Sequence, residues 1–251
     1  MSLLTVIVCV NYDDLLGISL PSIIREVGHD LDNEIVVVTS RKDSATVRVG
    51  QKAGVCVFQT DAFYTHGAAF SKAAALNAVL EDWRTCRPEW VLTLDADIVF
   101  QPGMGRVIEA EATEKNVLYG ASRVGCSNLE AWENGGPFPP IKNPCELPGF
   151  LHCFWTGQLS PPPWYDAEYE HAGGYDSAFQ KRWDKAHKKR FSLPVIHLGN
   201  LGENWYGRLT ERWQGKSVGA PSRAAISRVR QHHAELKVQG VPGRDRKEAK
   251  L

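Results

Sequence analysis

Four short apolar runs, Leu4–Val10, Glu34–Thr39, Val55–Gln59 and Trp90–Leu94, punctuate the first hundred residues, and helix-period stretches lie between them. Runs this short predict strands, and the first two, β-branched and without polar alternation, predict buried parallel ones. Between them, Leu15–Val27, Ser44–Ala53 and Phe70–Trp83 space their apolar residues as helices do. Alternating strands and helices close into a mostly parallel sheet with right-handed crossovers, so the fold class is α/β. Such sheets bind ligands beyond the carboxyl ends of their strands. The fourth run ends at such a place, in Asp95-Ala96-Asp97.

Composition narrows the classes further. A 251-residue chain accommodates one α/β domain. With 43% hydrophobic residues and 29 basic against 29 acidic side chains, disorder is not expected. No stretch of about 18 apolar residues exists, so no membrane span is expected. Met1–Val10 is apolar but lacks a basic leading region and a small-residue cleavage site, so the expected location is the cytoplasm. The six cysteines form no C-x-x-C pair and read as reduced, mostly buried thiols. The zero net charge hides a gradient. Residues 1–180 hold 12 Lys/Arg and 23 Asp/Glu, whereas residues 181–251 hold 17 and 6. A basic end of this kind is either a solvated helix and tail or a surface that meets an anion.

Residues 126–165 contain eight prolines and predict irregular, turn-rich structure over one face of the sheet. Beyond them, Asp176–Arg190 reads as a basic helix, Leu193–Leu198 as a short strand and Gly199–Arg208 as a glycine-spaced loop. Pro221–Leu236 reads as a final helix before a tail.

The chemistry centres on Asp95 and Asp97. Two carboxylates one residue apart at the end of a buried strand set hard oxygen ligands beside a cleft. Such ligands suit Mg²⁺ or Mn²⁺, which retains waters and shares substrate phosphates. The alternative is a pair of caps in a strand–helix turn.

With these residues in place, the chain resembles the nucleotide-sugar glycosyltransferases of the GT-A fold, specifically the family 2-like group. Val8-Cys9-Val10-Asn11-Tyr12 is similar to that group's first strand and base-binding turn. Phe70-Ser71-Lys72-Ala73-Ala74-Ala75-Leu76-Asn77 resembles its K-x-x-A-L-N helix, which flanks the nucleotide, and Asp95-Ala96-Asp97 matches its D-x-D element. The resemblance covers roughly residues 4–208. It implies a single Rossmann-like GT-A domain over residues 1–216, with a nucleotide-binding half (1–100) and an acceptor half (101–216). A basic C-terminal helix and tail (217–251) would follow.

The same resemblance implies site residues. Asn11, Tyr12, Lys72, Asn77 and Asp95 fall on the donor side, and Lys72 reads either as a phosphate contact or as a solvated helix residue. The usual acidic turn after the second strand is replaced by Thr39-Ser40-Arg41-Lys42-Asp43, so Asp43 is the displaced equivalent or Arg41 substitutes for it. His197, at a strand end, is implied as a third metal ligand beside Asp95 and Asp97. The Gly173–Asp184 segment resembles the acceptor-side element, with Trp183 where Glu is usual and Asp184 as the general base. Asp176 is the second candidate, and a salt bridge or a helix cap is the structural alternative for each. Trp205 and Arg208 are expected to close over the donor.

The function expected from this pattern is a metal-dependent, inverting transfer of a sugar from a nucleotide-diphosphate donor to an acceptor hydroxyl. A glycan, lipid-linked or small-molecule acceptor is the first reading. Hydroxymethylated bases of phage-type DNA are the alternative, since the basic end would suit nucleic acid. A sugar nucleotidyltransferase would carry a glycine-rich basic loop where Asn11-Tyr12-Asp13-Asp14 stands, and a non-catalytic binding module is the remaining rival.

Overall fold

The computed structural model describes residues 1–28, 33–68, 70–83, 89–141, 147–159, 164–167 and 175–199. Strands β1 (Leu3–Val8), β2 (Asn33–Thr39), β3 (Cys56–Gln59) and β4 (Trp90–Asp95) appear where the apolar runs predict them. Helices α1 (Asp13–Val27), α2 (Ser44–Lys52) and α3 (Lys72–Trp83) fill the intervals. The rest comprises β5 (Ile98–Val99), α4 (Met104–Glu111), β6 (Leu118–Cys126), α5 (Leu129–Glu133), β7 (Leu151–Trp155), α6 (Tyr175–Gln180) and β8 (Lys188–Leu198).

All eight strands join one sheet in the order β3-β2-β1-β4-β7-β6-β8-β5. β3, β2, β1 and β4 are mutually parallel, as are β6 and β8. β7 runs against both β4 and β6, and β5 runs against β8. Both halves expected from the sequence, residues 1–100 and 101–216, therefore feed a single sheet, while the boundary at 216 lies outside the described residues.

Alternation along β1 shows why its sequence is apolar throughout. Leu3 and Ile7 join one core with Leu16, Leu20 and Ile23 of α1 and with Met104 and Ile108 of α4. Leu4, Val6 and Val8 join the opposite core with Leu76, Val79 and Leu80 of α3. A strand sandwiched between two helical layers has no polar face to display. The second core continues into the aromatic rings of Phe154, Tyr165, Phe179 and Trp183, with Tyr165 stacked on Phe179 at 4.1 Å.

Two sequence expectations are corrected. The proline-rich segment 126–165 is not wholly irregular, because Leu151–Trp155 becomes β7 and is inserted beside β4. A five-residue apolar run between prolines and glycines is too short to announce itself. Nor is Asp176–Arg190 a single helix. α6 stops at Gln180, Lys181 to Trp183 continue in tighter i→i−3 turns, and Lys188–Arg190 already belong to β8. Burial of Trp183 against Phe154 and Phe179 draws the chain off the helix path. β8 starts in a basic, lysine-rich stretch that carries no apolar signal.

The helices of the first core meet at close range. Glu26 Oε2 accepts the N–H groups of Gly103 and Gly105, so the end of α1 caps the start of α4. A Cβ at Gly105 would lie 1.8 Å from the Glu26 carbonyl oxygen. Because that neighbour is backbone, Gly105→Ala must part the two helices. A loss of about 3 kcal/mol, hence a melting temperature lower by roughly 6–12 °C, is expected by circular dichroism.

Candidate active site

β4 delivers Asp95 to the carboxyl edge of the sheet, and three contacts fix the turn that follows. The Asp95 N–H donates to Phe150 O (3.0 Å), and Ser19 Oγ from α1 donates to Ala96 O (2.6 Å). The Leu198 N–H donates to Asp97 O (2.9 Å), while Ile98 pairs with His197 across β5 and β8. The D-x-D turn is thus clamped by β7, α1 and β8, and the distant His197 arrives beside it.

The two carboxylates have different company. Lys72 Nζ, from the first residue of α3, donates to Asp95 Oδ1. Burial raises the Asp95 pKa above its ordinary value; the Lys72 ammonium opposes this and the Asp97 charge reinforces it. Asp97 Oδ2 lies 3.5 Å from His197 Nε2. Asp97 Oδ1 is buried and has no hydrogen-bond partner among the described residues. His197 Nδ1 lies 3.1 Å from Gly199 O. A carbonyl only accepts, so Nδ1 donates to it, and Nε2 is the ring nitrogen that faces Asp97.

An orphaned buried carboxylate oxygen is costly unless something binds it. With a second carboxylate and an imidazole nitrogen alongside, the donor types suit a divalent cation, and the nitrogen favours Mn²⁺ over Mg²⁺. Among the described residues no three His, Cys, Asp or Glu side chains stand together so as to hold a metal ion, and Asp95 is engaged by Lys72 instead.

Around Lys72 stand groups that the sequence did not single out. The Tyr175 ring lies beneath Nζ, 5.4 Å away. Burial, followed by the Asp95 and Asp176 charges, holds its hydroxyl well above its ordinary pKa. Tyr175 Oη donates to Gly149 O (3.4 Å), and a Cβ on Gly149 would lie 2.0 Å from Asp176 Oδ2. Asp176 is therefore packed on the residue preceding Phe150, whose carbonyl holds Asp95. His152, also buried, is kept neutral, its pKa pushed down to about 3 by burial and then by Lys72. Gln180 Nε2 lies 3.2 Å from His152 Nε2 and donates to it. Tyr175 lies in a segment read for its acids, and no periodic signal marks it as a site residue.

The other expected residues divide. Asn11 adopts φ 59°, and its N–H donates to Asp43 Oδ2 at 2.7 Å. The buried Asp43 also accepts from Thr39 Oγ1, Thr46 Oγ1 and the Thr46 N–H, so it caps α2 and holds the β1 turn. Tyr12 is half-buried and packs on the first core, while Arg41 is exposed and pairs with Asp61 at 3.5 Å. Asn77 clasps the Tyr165 backbone, Nδ2 donating to its carbonyl and Oδ1 accepting its N–H. Asp184 is exposed and precedes a short 3-10 turn at Lys185–His187. It precedes β8 at the end opposite His197, and Lys188 and His197, paired with Leu118 and Gly125 across a bulge, lie roughly 23 Å apart along the strand. The structure gathers Lys72, Asp95, Asp97, Asp176 and His197 at one edge and leaves Asp184 away from it. Trp205 and Arg208 lie outside the described residues.

No family model matches the sequence, and no curated protein does. Solved structures do match. A mannosyltransferase of Pyrobaculum calidifontis, solved with GDP-Man and Mn²⁺, superposes with a TM-score of 0.55 at 14% identity, over 97% of this chain and 66% of the other. The fold is the GT-A fold. Two further GT-A structures agree with it. TarS of S. aureus with UDP-GlcNAc gives a TM-score of 0.56 at 15% identity, over 82% of this chain and 61% of that one. Mannosyl-3-phosphoglycerate synthase of Rubrobacter xylanophilus gives 0.51 at 17%, over 96% and 75%. The chain thus spans just under two thirds of the first two. Among the described residues no helix is long and apolar enough to cross a membrane.

Proposed function

We propose that this GT-A chain is a metal-dependent glycosyltransferase that moves a sugar from a nucleotide-diphosphate donor to an acceptor hydroxyl, with inversion, in the cytoplasm. The observation that carries the reading is the buried Asp97 Oδ1, which has no hydrogen-bond partner among the described residues, beside His197 Nε2 at the carboxyl edge of β4. Asp95, Asp97 and His197 would hold Mn²⁺ or Mg²⁺, which when bound supplies positive charge against a diphosphate leaving group. The neighbouring structures solved with GDP-Man and Mn²⁺ or with UDP-GlcNAc support a donor of this class.

The chain's own residues divide the remaining work. The Asn11–Tyr12 turn, held open by Asp43, lies on the nucleotide side, and Asn77 acts through the Tyr165 segment it clasps. Trp205 and Arg208 remain assigned to the donor on sequence grounds. Asp176 is the better placed base: its carboxylate takes the acceptor's hydroxyl proton as that oxygen bonds to the anomeric carbon and the carbon–phosphate oxygen bond breaks. Asp184 keeps its sequence-based candidacy as a control.

For the acceptor, a glycan, lipid-linked or small-molecule hydroxyl is preferred. The described part of the basic segment does not favour nucleic acid. Lys188–Arg190 lie at the end of β8 away from Asp97, Arg182 pairs with Asp166, and Lys189 with Glu114.

A thermal-shift panel of UDP- and GDP-sugars tests the proposal. A donor that raises the melting temperature by several degrees with Mn²⁺, and not with EDTA, is the expected result. Shifts that survive EDTA would remove the metal role, and no shift with any donor would remove the transferase reading.

A further inference from the structure

We propose that Lys72 is an exchangeable cation of the donor site. It neutralises Asp95 while no divalent ion is bound, then passes to the donor's diphosphate when the ion takes Asp95. The inference rests on the metal-dependent reading above and concerns how ion and donor depend on each other.

Lys72 occupies an unusual position for a lysine. Its side chain is only 6% exposed, and it is the first residue of α3, where the helix dipole disfavours a cation. Burial of an ammonium requires an anionic partner, which Asp95 Oδ1 provides, and the Tyr175 ring adds a favourable face. Asp95 is also a proposed metal ligand. The same carboxylate oxygen cannot take an ammonium and a divalent ion without strong repulsion between the two cations. Lys72 is therefore a competitor for Asp95 in the donor-free protein. Once displaced, its ammonium again needs an anion, and a diphosphate bound to the same ion brings one within its reach. Ion and nucleotide should then bind cooperatively, each strengthening the other by the same factor. A permanent Lys72–Asp95 bridge predicts no such coupling.

Electron paramagnetic resonance of free Mn²⁺ measures this directly, without catalysis. Wild type, Lys72→Met and Lys72→Arg would be titrated alone and with UDP or GDP, after melting curves establish that each variant is folded. Chelation of Mn²⁺ by the nucleotide in solution is common to all three and cancels in the comparison. Lys72→Met should bind Mn²⁺ alone about tenfold more tightly than wild type and should lose about tenfold of the nucleotide enhancement. Lys72→Arg, which keeps the charge, should stay within about twofold of wild type without nucleotide. Unchanged or weaker Mn²⁺ binding by Lys72→Met overturns the exchange, as does an Arg variant that behaves like Met. If wild type binds Mn²⁺ and nucleotide but Lys72 does not affect their coupling, the inference alone fails. If wild type binds no Mn²⁺ under any condition, the transferase reading fails with it.

Discussion

Asp97→Asn should abolish Mn²⁺ binding and lower sugar transfer by at least about a hundredfold, while the melting temperature stays level or rises. Loss of function with retained stability follows from one asymmetry. Asp97 Oδ1 is buried without a hydrogen-bond partner among the described residues, so its charge burdens the metal-free fold. Asparagine has the same shape, removes that charge and offers the metal only a neutral oxygen. The backbone contact that fixes the turn, Leu198 N–H to Asp97 O, survives the change. A variant that binds Mn²⁺ as wild type does would show that Asp97 is not a ligand. A variant that unfolds would show that the carboxylate serves the fold.

Asp176→Asn should lower the rate of transfer by about a hundred- to ten-thousandfold, the range over which a positioned general base contributes. Donor and Mn²⁺ affinities should stay within about twofold, because no contact of Asp176 with Asp95, Asp97 or His197 is needed to hold either. Asp184→Asn provides the contrast. Its carboxylate is exposed at the far end of β8, and its replacement should leave the rate nearly unchanged. The opposite pattern, a slow Asp184 variant beside a normal Asp176 variant, would return the role to Asp184. Product stereochemistry is a separate check: an axial product from an axial donor excludes inversion.

The preference for Asp176 shows where sequence reading falls short. Both acids sit in one segment, at spacings that suit a single helix, and one dimension does not separate them. The tertiary structure does, because Trp183 buries itself among Phe154 and Phe179 and ends the helix between the two acids. Asp43 and Asn77 illustrate a similar limit. Each is a polar residue that the resemblance puts on the donor side, and its hydrogen bonds go to Asn11, Thr39 and Thr46 in one case and to the Tyr165 backbone in the other.

The sequence alone determined the parallel half of the fold. β1, β2 and β4 are short strands buried between two helical layers, and burial on both faces writes itself into the chain as a mostly apolar run; β3, at the sheet edge, carries a similar run although it is half-exposed. It also determined that Asp95 and Asp97 stand at a strand's carboxyl edge, since that follows from where the run stops. Only the tertiary structure decided what faces them. Lys72, the Tyr175–Asp176 pair and His197 come from three elements, α3, α6 and β8, brought together through an antiparallel β7 hidden among prolines and a β8 that starts in a basic, lysine-rich stretch. Long-range pairing of this kind leaves no local period in the sequence, because each partner's signal depends on a surface that the other supplies.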